Sequence, residues 1–402
     1  MIHADPLGYV RDQLLHDERR CAPFPGIFQH KLARMRPSPL AFLRGAAPMF
    51  YAILRDHPQL ARGPRGEGWI AGDLHFENFG AYRPGSLTEE DKRQQHGNTA
   101  AFDLNDFDDA AIGPWRLDVL RLTTSLLLAG RELHIGGPRA LELADGVIDA
   151  HVEHACRAGK MPPIPRPVAA LLATVRTRSR LELLDMRTRV VHGKREFIRG
   201  PRYRDVTRVL QKRATDAFAA YVAKLVKDEK VDVDHLKVLD MAFRIAGTGS
   251  LGGLRIAVLV KGKGGSDGAW IFDMKEQGTP SASLLVHCGD LKRAKRVVTA
   301  MQTCLARPPR MLGTTKLGDL SMLVRRLAPQ EDKLMLSRLE DTDLLPLARY
   351  LGALTGAAHR RGATRLPKKA WKRDERKLLI DNAITLAGIH EAAYLAMCRW
   401  PF

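Results

Sequence analysis

Two short polar runs, GDLHFENFG (72–80) and FDLNDFDDAAIGPW (102–115), constrain this chain most, because each sets carboxylates and an amide directly behind an apolar segment. At neighbouring strand ends the two runs would flank one site. Asp73 and Asn78, five residues apart, offer a base and a metal ligand. The second run adds Asp103, Asp106 and Asp108, carboxylates suited to holding magnesium against phosphate oxygens. Together they point to phosphoryl transfer. A structural alternative uses the same residues, with Asp73 and Asn78 capping a turn and Asp106 in a salt bridge. Asp103 and Asp108 compete for the second carboxylate role.

The chain has 402 residues, 45% of them hydrophobic, enough to bury a sizeable core without disulfides. Cys21, Cys156, Cys288, Cys304 and Cys398 are scattered and form no CxxC pair, as expected of thiols in a reducing compartment. The N-terminal stretch lacks the features of a secretory signal and no apolar run reaches membrane-spanning length, so a soluble cytoplasmic protein is expected. The formal net charge of +19 favours phosphorylated or otherwise anionic partners on approach. Aromatics make up only 6% of the chain and no zinc-finger, basic-zipper or stacking signature appears, which argues against a dedicated nucleic-acid module.

Residues 1–40 form a polar, Pro-punctuated approach, and FLRGAAPMFYAIL (42–54) reads as one packed helix. The charged stretch 83–98 reads as an exposed excursion. LDVLRLTTSLLLAG (117–130) and roughly 139–158 read as helices; after PPIPRP (162–167), residues 168–240 carry helical patterns without an obvious strand ladder. AFRIA, GTGSLGG and LRIAVLVK (242–261) then read as strand, Gly-rich turn, strand, and AWIFDMKE (269–276) as a third strand carrying Lys275. Alternation sets Phe272 and Met274 on one face of that strand and Asp273 and Lys275 on the other. LSMLVRRLAP (320–329) is a further strand, LLPLARYLGALTGAAH (344–359) a helix, and 374–399 a final amphipathic helix. The segments divide as 1–71, an N-terminal helical extension; 72–160, holding both polar runs; 161–240, a helical insertion or cap; 241–330, a small antiparallel sheet; and 331–402, C-terminal helices.

In GTGSLGG, Gly247, Gly249 and Gly252 would let backbone N–H groups, with Ser250 among them, approach a phosphate without side-chain obstruction. A plain tight hairpin is the alternative. KGKGGS (261–266) lacks the GxxxxGK[ST] spacing and reads as a turn between strands. His75 could contact a phosphate or serve as a hydrogen-bonded structural histidine, and Glu77 reads as a loop carboxylate.

GDLHFEN resembles the Asp-containing catalytic loop of the protein-kinase-like superfamily, especially aminoglycoside and choline kinase type phosphotransferases, and NDFDDAAIGPWRLDVLRL resembles its metal-binding Asp followed by a structural Asp. From SPLAFLRG through both acidic motifs to GTGSLGG, MKE and GAAHRRG, the chain also resembles a bacterial family known as domain of unknown function 2252. The resemblance implies an α+β, protein-kinase-like, two-lobed fold with an additional helical region. The motif order implies circular permutation, because the Gly-rich turn and Lys275 follow both acidic motifs instead of preceding them. Permutation can preserve spatial neighbours.

On this resemblance Asp73 is the base, with His75 and Asn78 in the catalytic loop; Asn78, Asp106 and Asp108 are the magnesium ligands; and Gly247, Gly249, Ser250, Gly252 and Lys275 bind ATP. Asp118 is expected to hydrogen-bond backbone or an arginine near the catalytic loop. Ala71 stands where many relatives have a histidine. A lysine like Lys275 normally pairs with a helix glutamate, yet Asp290 is the only acid between Gln277 and Ala306. The implied activity is ATP-dependent phosphorylation of a small-molecule hydroxyl. The alternative is a catalytically weak, kinase-like module that binds RNA or an acidic protein through the basic regions 176–213 and 360–377. The sequence favours no particular oligomeric state.

Overall fold

The structure, a computed structural model, describes residues 4–88, 99–229, 231–249, 251–265, 267–288 and 293–400. The chain enters through helices α1 (Pro6–Cys21), α2 (Ile27–Met35), α3 (Pro39–Gly45) and α4 (Ala47–Asp56). Asp5 caps α1 by accepting Gly8 N at 3.0 Å, and Ser38 caps α3 by accepting Ala41 N at 3.1 Å. The run 42–54 is two helices, not one. The chain breaks at Ala46, and Pro48, lacking an N–H, sits in the first turn of α4, where that donor is not needed.

Strand β1 (Glu67–Ile70) leads into the first polar run and β2 (Phe79–Tyr82) leaves it; β3 (Ala101–Leu104) leads into the second and β4 (Ala111–Pro114) leaves that. Of the charged stretch before β3, residues 89–98 lie outside the described residues. Helices α5 (Arg116–Glu132), α6 (Gly137–Arg157), α7 (Arg166–Thr177) and α8 (Arg180–Asp185) follow.

The region expected to be purely helical then contains β5 (Thr188–Val191), β6 (Lys194–Phe197) and β7 (Tyr203–Arg204) before α9 (Arg208–Asp228). His192 and Gly193, at φ 47° and 74°, turn β5 back onto β6, the two positive φ angles a type I′ hairpin needs. Charged residues on both strands hide the alternation that would have marked this hairpin, leaving His-Gly as its signal.

Next come β8 (Val238–Arg244), β9 (Arg255–Val260), β10 (Trp270–Glu276), α10 (Arg293–Cys304), β11 (Gly313–Leu317), β12 (Leu320–Arg326) and β13 (Asp332–Lys333). Helix α11 (Asp341–Arg361), β14 (Ala363–Arg365) and α12 (Arg373–Cys398) finish the chain.

The result is a mixed α+β fold. A six-stranded antiparallel sheet has the order β11-β12-β10-β9-β8-β7, and two three-stranded sheets, β14-β1-β4 and β13-β2-β3, hold the polar runs at their junction. Phe272 and Met274 are fully buried against Phe218 and Tyr221 of α9, as the alternation along β10 predicted. Burying each such side chain contributes roughly 1.5–3 kcal/mol. Helices α6 and α11 pack closely at Gly352 and Gly356, where an added Cβ would lie 2.2 Å from Val147 O and 2.5 Å from His151 O.

Asp118, buried in the first turn of α5, fixes the chain entering the first polar run. Its oxygens accept Ala71 N at 2.6 Å and Gly72 N at 2.9 Å, matching the expected role. His359 of α11 donates from Nε2 to Asp118 at 3.1 Å, and its Nδ1 lies 2.9 Å from His151 Nε2. Trp115 stacks on His359 at 5.7 Å. Gly72 is required here: its φ is +79°, and a Cβ would lie 2.0 Å from Asp109 O.

Asp118→Ala should strand two buried N–H groups, each costing about 1–3 kcal/mol. Urea unfolding is expected to show a loss of at least about 2 kcal/mol with an unchanged m-value.

Candidate functional site

The two polar runs converge on one cleft. Asp73, Asn78, Asp106 and Asp108 line it on one side, with Gly247 and Gly249 of the β8–β9 turn and Glu276 of β10 opposite. An adjoining cavity shares Asp106, Asp108 and Gly247 and adds Lys275 and Arg255. Asn105 N donates to Asn78 O at 2.9 Å, joining the two runs through their backbones.

Asp73 Oδ1 accepts Arg121 Nε at 2.7 Å, and Arg121 is fully buried in α5, its Nη2 donating to Leu43 O at 2.9 Å. Burial pushes Asp73 up to about 7 despite Arg121, with the nearby carboxylates Asp109 and Asp106 adding to the rise. Its proton therefore exchanges near neutrality. Asn78 donates from Nδ2 to Asp73 O at 2.6 Å, which turns its amide oxygen into the group free to serve as a ligand. His75 Nδ1 accepts Glu77 N at 3.2 Å; burial, with Arg44 and Arg121 nearby, holds this histidine well below its ordinary value and neutral. Glu77 pairs with Arg44 at 2.8 Å.

Within the acidic turn, Asp106 Oδ1 accepts Asp108 N at 3.3 Å, and Asp109 Oδ1 accepts Ser281 N at 2.5 Å. Asp108 is ion-paired with Lys275 and accepts Gln277 Nε2 at 2.9 Å. Burial opposes its charge, but Lys275 and Gln277 hold Asp108 below the ordinary carboxylate value. Asp108 thus supplies the acidic partner for Lys275 that the sequence did not disclose; Asp290 lies outside the described residues. Helix α10 contributes a cation where a glutamate was sought. Arg296 donates to Ala110 O, to Asp108 O at 2.8 Å and to Gly278 O at 3.3 Å, clamping the backbone of the turn.

Asp103 sits on β3 away from these groups, 3.7 Å from Arg361, and burial pushes it up to about 6. In the Gly-rich turn, Gly247 has φ +81° and its carbonyl accepts from Arg34. A Cβ on Gly249 would lie 3.8 Å from Asp73 Oδ2, so this turn covers the first polar run closely. Gly252 packs against Arg20 and Cys21 of α1. Ser250 lies outside the described residues.

Sequence reasoning missed the cleft wall built from the N-terminal helices. Asp17 and Lys31 form a buried ion pair at 2.5 Å on that wall, with Arg20 and Arg44 beside it. A signal existed. Asp17 falls on the stripe Val10, Leu14, Cys21, and Lys31 on the stripe Ile27, Met35, so each charge sits on an apolar helix face and must be buried with a partner.

The basic region 176–213 is extensively ion-paired: Arg178 with Asp332, Arg189 with Glu196, Arg195 with Asp185, and Arg199 with Asp205 and Asp240. In the second basic region Arg376 pairs with Asp149, and Trp371 is buried, donating to Arg65 O at 2.7 Å.

No group of three or more His, Cys, Asp or Glu side chains stands ready to hold a metal among the described residues. Magnesium typically takes one or two protein ligands plus substrate phosphates, so the amide oxygen of Asn78 and the carboxylate of Asp106 are a donor set of the right chemistry.

Fold and site together define a mixed α+β protein with a carboxylate-lined cleft. The chain belongs to the family described as "Uncharacterized protein conserved in bacteria (DUF2252)", whose model matches residues 23–399. Comparison with curated proteins and with solved structures found no match. No helix among the described residues is long and apolar enough to cross a membrane.

Folded, Asp73 keeps its proton up to about pH 7, whereas an unfolded aspartate releases it near pH ~4. The folded state binds more protons between those values, so this group's contribution to stability falls as pH rises across the window. The stability of wild type relative to Asp73→Asn should decline from about pH 4 to about pH 7 and level off on either side. Urea titrations at constant ionic strength measure it, and a flat difference would contradict the assignment.

Proposed function

We propose that this protein is a magnesium- and ATP-dependent phosphotransferase acting on a small-molecule hydroxyl, built on a permuted, two-lobed, protein-kinase-like plan. The observation that carries the reading is the meeting in one cleft of Asp73, Asn78 and Asp106 with Gly247, Gly249 and Glu276, groups separated in sequence by more than a hundred residues. The six-stranded sheet is the nucleotide lobe in this reading, and the helical body carrying both polar runs is the other.

Asn78 and Asp106 would hold magnesium, which when bound supplies charge neutralisation for the phosphate oxygens. Asp73 orients the acceptor hydroxyl and takes its proton as the oxygen bonds to the terminal phosphorus; the bond from that phosphorus to the bridging oxygen breaks and ADP leaves. Lys275 holds the phosphate chain, with Asp108 keeping the lysine in place between turnovers. Arg121 stops Asp73 from becoming a permanently protonated buried acid. The Gly-rich turn lies over Asp73, where a Cβ on Gly249 would sit 3.8 Å from Oδ2.

Incubating the protein with magnesium-ATP and a metabolite mixture, with mass spectrometry of the products, tests the activity and separates phosphoryl from nucleotidyl transfer. Asp73→Ala and Asp106→Ala are each expected to lower turnover by at least about a hundredfold while circular dichroism stays unchanged. Full activity in both variants would reject the mechanism. Turnover should rise with pH through about 7, because the deprotonated form of Asp73 is the base.

A further inference from the structure

The face of the six-stranded sheet that carries Lys275 also carries a cluster of arginines. Strand register sets Arg255 of β9 opposite Lys275 and Arg325 of β12 opposite Asp273, and Arg244 ends the neighbouring strand β8. All three guanidiniums turn to one carboxylate, Asp273, which is 1% exposed. Arg255 Nε donates to its two oxygens at 2.8 and 3.0 Å, Arg244 Nη1 lies 2.8 Å from Oδ1, and Arg325 Nε lies 4.0 Å from Oδ2. Arg325 has a second acid, Glu331, at 3.4 Å.

One carboxylate cannot satisfy this many donors. Arg244 Nε has no hydrogen-bond partner among the described residues, and Nη1 meets only Asp273 Oδ1, at 2.8 Å. The Arg244 side chain is only 10% exposed, so water covers little of it. Burial, and the repulsion of Arg255, outweigh the attraction of Asp273 and hold Arg244 below its ordinary value. A buried cation short of acceptors is costly unless an anion completes its shell. Arg244, Arg255, Arg325 and Lys275 all line the cavity that adjoins the cleft.

We propose that Arg244, Arg255 and Arg325 form an anion subsite that binds a phosphate group entering through this cavity. The planar guanidiniums offer paired N–H donors that match phosphate oxygens, and Arg244 would turn its unfilled, buried donor to the phosphate as it enters. The proposal goes beyond the phosphotransfer reading, because binding here needs neither Asp73 nor a metal. Asp273 and Glu331 keep the three arginines mutually tolerable when the site is empty, two carboxylates against three guanidiniums, and the phosphate adds the negative charge they lack.

The test uses the full-length protein with inorganic tripolyphosphate in EDTA, at constant ionic strength, followed by isothermal titration calorimetry and thermal shift. Wild type should bind tripolyphosphate, and Arg244→Gln should weaken binding about tenfold or more, the loss expected for charge-assisted hydrogen bonds to phosphate. Arg189→Gln, at a surface pair with Glu196, should change it less than about twofold. If Arg244→Gln does not fold, Arg325→Gln, at a more exposed member of the cluster, should show the same loss. Binding of tripolyphosphate in the absence of any ATP turnover would sustain the subsite alone, which separates this site from the catalytic reading. Displacement of tripolyphosphate by ATP would identify the nucleotide as the source of the phosphate, and simultaneous binding a phosphorylated acceptor. Equal affinity in wild type and Arg244→Gln, or no binding by wild type, would overturn the proposal.

Discussion

The ion pair between Lys275 and Asp108 is the contact on which the cleft depends. It joins strand β10 to a turn 167 residues earlier, and Gln277 adds a second hydrogen bond to the same carboxylate. Burial works against Asp108, so the pair persists as ions only because the lysine is held against it. Removing one partner of a fully buried pair typically costs about 3–5 kcal/mol, and the loss is smaller where, as here, the side chains keep 12% and 24% of their exposure. Arg296 grips the carbonyls of the same turn from α10. The acidic turn is therefore fixed twice, its side chain by the sheet and its backbone by a helix.

Two half-buried carboxylates in this cleft are driven in opposite directions. Asp73 is raised by burial and by Asp109 and Asp106, and Arg121 offsets only part of that rise. Asp108 suffers the same burial, but Lys275 and Gln277 more than reverse it. Separated ionisation of neighbouring carboxyl groups is how one site can hold both an exchangeable proton and a fixed negative charge. The distinction follows from the partners each carboxylate meets, not from residue type.

Much of this was legible in the sequence where a local rule decides the outcome. The strands carrying 254–260 and 270–276 follow from apolar β-branched runs bounded by glycine, and the last helix runs from Arg373 to Cys398 against an expected 374–399. Asp118 was expected, from the resemblance, to bond backbone or an arginine, and it is the backbone of Ala71 and Gly72 that it meets. Long-range pairing was not legible: nothing near Lys275 names Asp108, and nothing near Asp118 names His359. The β5–β6 hairpin was hidden by charged residues on both strands, and the helix break at Ala46 was overlooked although Pro48 signals it.

Net charge, the most visible property of the composition, proves to be a poor guide to the site. Many arginines of 176–213 are spent on ion pairs with Asp185, Glu196, Asp205 and Asp240, and where the pair is exposed, as for Arg189 with Glu196, it is worth little, roughly 0–1 kcal/mol. The cations that shape the cleft are those withdrawn from water: Arg121 behind Asp73, Arg296 on the acidic turn, Lys31 against Asp17, and Lys275 against Asp108. Arg121, Arg296 and Lys31 sit on buried helix faces and Lys275 on a strand face it shares with Asp273 and Arg255, so each had to find an acid or a carbonyl before the chain could close around it. A charge count gives these residues the same weight as any surface lysine. Their placement on buried faces sets them apart, and that placement, more than the +19 total, brings the polar runs and the sheet to one cleft.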